Sequence, residues 1–423
     1  MALPGVNTTI RDRFIFISRT DIPIGPRVLV IGTRDTADGT DGVQDLDPYN
    51  IQNEQKAIDA FGEGSQVHRA YLECVSGGAQ RVTVVALPSD TVFDHTNGEI
   101  SSADYTTANP TGDLFDDAFA AAEAARPDII VPWGRGVSPL EYEDPATPGN
   151  SPEIGFHADN SITGSKSWAV KVANKCAEIT ANSHPVFAVM GVKPYNSGLD
   201  DSGGTKPESM RPSEVATHVA LDDLIARKSA SFGTNGIYLS IVAAEIAPLG
   251  YYDDYGYSNG ACMYAGHITQ LDSWSSPTSK TIYNVASLRY NPTRTQQQAM
   301  IDLGVVPVTL DFNRTPIWRD AQTFSQEGSD YARLTTLRIV FDAVLLVRQV
   351  SEKFIGEAAT LENRNALETA ITAGLRGMQQ LGALYSADHV VTYVPAENKA
   401  IVDMVLNPAF ELRNIEVSVS IQI

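Results

Sequence analysis

The sequence predicts an outer α/β layer followed by a C-terminal α+β domain, with an extended β arm at each end of the chain. Three observations predict this. Short, continuous apolar runs alternate with helical segments, as in a mostly parallel sheet covered on both faces. After Gly304 the order changes to strands, then two long helices, then strands. The last ten residues alternate strictly: Ile415, Val417, Val419, Ile421 and Ile423 on one face, Asn414, Glu416, Ser418, Ser420 and Gln422 on the other. A period of two with β-branched residues is a half-buried strand. Such a strand must be paired, because an open apolar edge recruits other chains. Its partner is either this molecule or the next one.

The elements follow in order. A Pro-Gly turn opens the chain, and Phe14, Ile15, Phe16 and Ile17 form a short β run. Val28–Gly32 reads as a buried strand, and Gly39–Tyr49 as a polar loop. Two helices follow, broken at Phe61–Ser65, the second covering Gln66–Val75 and stopped by Gly77-Gly78. Arg81–Leu87 is the next strand. Residues 88–110, 136–164 and 194–211 are rich in loop formers. Between them lie a helix at Leu114–Ala125, a strand at Asp128–Pro132, a helix near Ser167–Thr180 and a strand at Pro185–Met190. A helix from Pro212 to about Lys228 precedes a strand at Ile237–Val242. Val305–Leu310 and Ile317–Asp320 are adjacent strands around a turn. Helices span roughly Asp330–Phe354 and Asn363–Leu381, with strands near Val390–Val394 and Ala400–Leu406. The expected divisions are an N-terminal arm (1–25), a first part of the α/β core (26–87), an acidic outward α/β domain (88–303), a C-terminal domain (304–406) and a C-terminal arm (407–423).

A chain of 423 residues exceeds one ordinary core. The net charge of −20 argues against a nucleic-acid partner. The charge is concentrated in residues 88–300, which hold 13 basic and 25 acidic side chains and are expected to face water. Cys74, Cys176 and Cys262 are far apart, which suggests a reducing place of synthesis and no disulfide framework. Met1–Gly5 lacks a signal peptide's basic start and apolar stretch, and no run is apolar enough for a transmembrane helix, so cytoplasmic synthesis and no membrane contact are expected.

A parallel α/β layer raises the question of a ligand site at its strand ends. No phosphate loop is present, and Gly62-Glu63-Gly64 lacks its third glycine and precedes a helix, which reads as a helix stop. There is no G-x-S-x-G elbow and no H-x-x-x-H pair. Cys262 and His267 are five apart on a probable helix and read as packing. Asp222-Asp223 and Asp253-Asp254 read as solvated faces. Arg135, between two glycines at a strand end, is the best single pocket candidate, although a loop arginine is the simpler reading. No catalytic constellation, cofactor or metal is expected. On the long C-terminal helix, Leu334, Leu337, Phe341, Val344 and Leu345 form an apolar stripe, with Arg338 and Asp342 one turn apart beside it.

The order of several motifs resembles the contractile tail sheath proteins of bacteriophages. The match runs through Pro4-Gly5-Val6, Gly25-Pro26, Phe61-Gly62 and the glycine turn and strand Gly77–Val85. It resumes at Trp318-Arg319, Asp330–Leu334, Arg338, Phe354–Glu357, Arg364 and Gly382–Leu384. The two ends carry it, about half the chain. The resemblance implies a structural subunit without enzymatic activity, stacked in hexameric rings around a tail tube and contracting to drive the tube through the host envelope. It implies a virion location, assembly in the host cytoplasm, and tube, baseplate and tail terminator proteins as partners. It implies inter-subunit strands at Phe14–Ile17 and Ile415–Ile423, and makes Arg333, Arg338, Asp342 and Arg348 candidates for a tube-facing wall. A bacteriocin or injection-system sheath is the near alternative. An α/β nucleotide-binding or hydrolytic enzyme with a C-terminal oligomerisation domain is the distant one, as is a surface-layer protein.

Overall fold

A computed structural model describes residues 27–34, 43–94, 99–109, 112–132, 141–143, 153–155, 168–192, 225, 228–229, 231–250, 257–397, 399–409 and 411. The predicted arms at 14–17 and 415–423, Arg135, the two Asp-Asp pairs and nearly all of the predicted helix at 212–228 lie outside the described residues.

The apolar runs become the middle of an eight-stranded sheet. Its strands are β1 (Val28–Thr33), β2 (Pro48–Ile51), β3 (Val82–Leu87), β6 (Ile129–Pro132), β9 (Phe187–Gly191), β10 (Leu239–Ala243), β13 (Val305–Leu310) and β14 (Pro316–Trp318). The spatial order is β14-β13-β10-β9-β6-β1-β3-β2. The six inner strands are parallel, and β2 and β14 close the two edges antiparallel. The inner strands are buried almost throughout, which is why they read as unbroken apolar runs rather than as alternation. Pro48 sits at the start of an edge strand, where its missing N–H costs least. The polar β2 was expected as loop; Thr83 Oγ1 donates to Asn50 Oδ1 at 2.9 Å beside its ladder with β3.

The sheet crosses the boundaries expected at 87/88 and 303/304. β1 and β3 lie beside β6, β9 and β10, and β13 and β14 extend the same sheet, so these segments share one hydrophobic core. The residues before and after Gly304 separate only by element order. The pairing of β10 with β13 at Ile241–Val305 joins them physically.

Helices α1 (Glu54–Phe61), α2 (Gln66–Gly77), α3 (Ala103–Ala108), α4 (Leu114–Ala125), α5 (Trp168–Asn182), α6 (Ala261–Thr269) and α7 (Arg294–Leu303) accompany the sheet. Side-chain caps set several starts: Asn53 for α1, Ser65 for α2 and Asp113 for α4 accept backbone N–H bonds there. Three small antiparallel pairs complete this part: β4 (Val92–Asp94) with β5 (Glu99–Ser101), β7 (Glu141–Glu143) with β8 (Glu153–Gly155), and β11 (Ile246–Pro248) with β12 (Val285–Leu288).

Helices α2 and α6 cross in backbone contact. A Cβ on Gly266 would lie 2.2 Å from the Cys74 carbonyl oxygen, and one on Gly77 would lie 2.2 Å from the Met263 carbonyl oxygen. Gly266→Ala gains about 1 kcal/mol of helix propensity, but the clash is with backbone that no rotamer can relieve. A net loss of about 2 kcal/mol is expected in urea unfolding; unchanged or raised stability would refute the close crossing.

Glu73 is fully buried beside this crossing and accepts a hydrogen bond from Ser258 Oγ at 2.7 Å. Burial outweighs the nearby Arg69 and pushes its carboxyl up to about 7 from an ordinary 4.5. The folded pKa is raised, so the unfolded chain loses this proton first as pH rises. Stability from this group is therefore present below about 4.5 and is lost as pH rises to about 7. Glu73→Gln should flatten the stability profile between those values; an unaltered slope would contradict the assignment.

Candidate inter-subunit site

The C-terminal part is built from α8 (Leu334–Glu352), α9 (Leu361–Leu381), β15 (Leu384–Val394) and β16 (Lys399–Pro408). Helix α8 joins it to the sheet because it is apolar on two faces. Leu334, Leu337, Val340, Phe341 and Val344 pack into the main core, with Phe341 against Phe187 and Tyr238. Ile339, Ala343, Leu346 and Val347 pack instead with Leu367, Ile371, Leu375 and Met378 of α9 and with Met404 and Leu406 of β16. The predicted stripe is the first of these faces, with Leu345 only partly buried. Helix α8 begins four residues later than expected. Residues 331–333 are held out of the helix by bonds from Thr323 to the Tyr331 and Ala332 carbonyls and by a bridge between Gln322 and Arg333.

The predicted site residues on α8 divide sharply. Arg338 is 6% exposed, and its guanidinium donates to the carbonyl oxygens of Ile268, Leu271, Asp272 and Ser275 at 2.5–3.2 Å. It caps the C-terminal end of α6, where carbonyls lack helical partners and the helix dipole favours a cation. Arg348 is also buried and donates to the carbonyls of Thr180 and Ser183 at the end of α5. The tube-facing expectation for Arg338 and Arg348 is thus corrected: both are internal anchors pinning α8 to the helices over the sheet. The 3,4 spacing left them off the stripe, but a helix packed on two sides has little outer surface. Arg333 is partly exposed and pairs with the fully buried Asp320 at 2.7 Å, while Asp342 is half-buried.

Trp318, from the resembling Trp-Arg pair, is fully buried. Its Nε1 donates to His267 Nδ1 at 3.2 Å, and its ring packs edge-on against Tyr264. That bond requires Nδ1 of His267 to be unprotonated, and burial holds this imidazole down to about 4. His267 and Cys262 are therefore packing residues, as expected, and both lie on α6.

Strands β15 and β16 form a long hairpin with ten paired positions from Leu384–Pro408 to Val394–Lys399. Met404 and Leu406 of β16 are buried on its inner face, and β15 packs against α9. Its outer face leaves Val390, Ile401 and Val405 at 62%, 39% and 53% exposure. No third strand joins this sheet among the described residues. Beyond β16 the chain is tied down twice: Ala409 N–H donates to the Ala383 carbonyl at 3.0 Å, and Thr335 Oγ1 donates to Glu411 Oε1 at 2.8 Å. A cavity of about 500 Å³ lies at this point, lined by residues that include Arg333, Thr336, Tyr385, Asn407 and Glu411.

At the end of the sheet where an enzyme of this class would bind its ligand, the described contacts past β1 are internal ones. Arg34, just past β1, pairs with Asp45 at 2.9 Å and donates to the Val43 carbonyl. The Gln66 side chain at the start of α2 accepts from Thr33 N–H. No group of three potential metal ligands occurs among the described residues, nor is any described helix long and apolar enough to cross a membrane.

Comparison with solved structures matches this arrangement from end to end. A chain of the anti-feeding prophage baseplate, six-fold symmetrised, superposes with a TM-score of 0.60 at 13% identity, covering 100% of each chain. The fold is that of a contractile sheath subunit. The sheath complex of the PVC extracellular contractile injection system, in its contracted state, gives 0.57 at 10% identity over 99% of this chain and 98% of that one. A sheath tail protein from Listeria innocua gives 0.56 at 11% identity over 92% and 93%. No protein-family model and no curated protein matches the sequence.

Proposed function

We propose that this chain is the structural subunit of a contractile sheath, stacked as hexameric rings around a rigid tube. The open two-stranded β15–β16 sheet carries the proposal. The edges of this sheet offer unpaired N–H and C=O groups to another strand. The alternating segment at Ile415–Ile423 has the right pattern to be that strand in a neighbouring copy, and Phe14–Ile17 is its counterpart from the other end. A ten-residue strand spans about 33 Å, enough to cross a subunit boundary. Strand addition of this kind gives main-chain hydrogen bonding between copies. Because the contact is heterologous, it propagates into a filament rather than closing a dimer.

On triggering, the rings rotate and close up while the arms keep neighbours linked, and the tube is driven through an envelope. The energy is stored in the extended lattice at assembly, so the subunit acts as a structural element and not as an enzyme. A tube protein, a baseplate and a terminator at the far end are its partners. Arg333 and Asp342, the partly exposed members of the α8 set, remain candidates for tube contact. An injection-type particle is the second reading beside a phage tail, supported by the full-length likeness to the anti-feeding prophage and PVC chains.

Negative-stain microscopy of the purified chain tests the proposal. Rings or hollow cylinders are expected. A monodisperse monomer or dimer that binds ATP or NAD would overturn it in favour of an α/β enzyme.

A further inference from the structure

Four large apolar side chains left exposed lie along one stretch of surface beside the β14 edge of the main sheet. Phe312 is fully exposed, and Tyr283, Leu249 and Val75 are 66%, 62% and 44% exposed. Hydrogen bonds connect their positions in a row. Ile282 N–H donates to the Pro316 carbonyl at 2.8 Å, which sets Tyr283 beside the turn that carries Phe312. Leu249 N–H donates to the Asn284 carbonyl at 2.8 Å, and Asn284 Nδ2 donates to the Ser76 carbonyl at 3.1 Å, next to Val75. The turn itself is closed by three bonds. Asp311 N–H donates to the Thr315 carbonyl at 2.9 Å, Arg314 N–H to the Asp311 carbonyl at 3.0 Å, and Thr315 N–H to Asp311 Oδ1 at 2.7 Å. Single exposed apolar residues are ordinary, whereas a clustered set marks an interaction surface. A phenylalanine held out on a closed turn also loses little backbone freedom on docking. Charge sets the same stretch apart. Residues 273–319 hold five basic and two acidic side chains, in a chain of net charge −20. Arg314 and Arg319 among them are exposed.

We propose that this basic, apolar ridge is a contact between copies of the chain, separate from the exchange of terminal strands, and that its occupant is the α3–α4 side of the next copy. Residues 99–125 hold six acidic side chains and no basic one, and Asp104, Asp113, Asp116 and Asp117 are exposed. Val92 of β4 adds an exposed apolar side chain there, since β4 pairs with β5 and β5 packs on α4. Helix α4 packs on β2 and β3, and β2 and β14 are the opposite edges of the sheet. The two surfaces therefore cannot meet within one subunit. Joined between subunits they make a heterologous contact, which repeats from copy to copy. Phe312 is the aromatic anchor and Arg314 the cation that meets the carboxylates, the residue types that dominate such contacts. The choice of a second copy as the partner rests on the sheath reading together with this charge complementarity.

The test uses the full chain with a photoreactive benzophenone analogue of phenylalanine at position 312. Isotopically light and heavy chains are mixed, irradiated and digested for mass spectrometry, so that links between copies are told from links within one. The expected result is light–heavy cross-links from residue 312 to peptides of residues 92–125. Arg314→Glu should cut their yield about tenfold or more, and Phe312→Ser in the otherwise unaltered chain should weaken self-association by a similar factor in sedimentation. Both variants should keep the wild-type melting temperature, because the two side chains are exposed. Absence of cross-links from residue 312, links confined to one chain, or links to another part of the neighbour would overturn the proposal. Micrographs of the same sample separate this contact from the sheath reading. Cylinders without links from residue 312 would remove the ridge contact alone, and links to residues 92–125 without cylinders would keep the contact and remove the sheath.

Discussion

Removal of residues 414–423 is expected to leave a folded, soluble subunit that no longer polymerises. The expectation rests on the contacts made just before the removed residues. The inner face of the β15–β16 hairpin is filled by Met404 and Leu406, which pack with α8 and α9. The chain is fastened just before that segment, by Ala409 to Ala383 and by Glu411 to Thr335. Truncation at 413 therefore keeps these contacts and takes away only the alternating strand. Circular dichroism and thermal unfolding of the truncated protein should match the full chain, while sedimentation should show loss of large species. Unfolding of the truncated subunit would mean that the strand completes its own core. Persisting cylinders would mean that the segment is not the link.

Arg338→Ala is expected to lower stability by about 3 kcal/mol. Four carbonyl oxygens around the end of α6 accept from this guanidinium. Truncation leaves several of them buried without a donor, and each such group costs roughly 1–3 kcal/mol. Part of this is recovered by relaxation and water entry. Arg338→Lys keeps the charge but loses the planar fork, so it should fall between wild type and alanine. Denaturant unfolding reads the difference. A change within about 0.5 kcal/mol, the usual range for an exposed position, would restore the view of Arg338 as a surface residue. Because α8 carries both cores, the loss should also loosen the C-terminal part, and assembly should weaken along with stability rather than independently of it.

The buried strands were legible because a strand covered on both faces has no choice but to be apolar throughout. β1, β3, β6, β9 and β13 fall where those runs lie, and the α4 bounds coincide with the predicted ones. Helix α7 was missed although its signal is local: Thr293 and Gln296 form a capping box, and Gly304 closes the helix in the left-handed region. Its polar run of glutamines masked the periodicity. β15 begins at Leu384 rather than near Val390, since cross-strand pairing with β16 decides a hairpin's length more than composition does.

The candidate site was legible only in part. The alternation of Ile415–Ile423 is a property of the sequence alone, and the hairpin that it would join was seen as two short strands. The inward turn of Arg338 and Arg348 was not legible, because helical spacing gives an angle around one helix and says nothing of a second helix covering the other side. The joining of residues on both sides of Gly304 into one sheet was equally hidden. It depends on β10 and β13 pairing across the whole of α6 and α7.

The central claim is that neighbouring copies are joined through the β15–β16 sheet. A cryo-electron microscopy reconstruction of the assembled particle, at a resolution that traces the chain, tests it most directly. The expected result is a six-fold stack in which residues 415–423 and 14–17 extend the β15–β16 sheet of adjacent subunits. Terminal strands paired within their own subunit, or rings held together with this hairpin facing solvent, would contradict it.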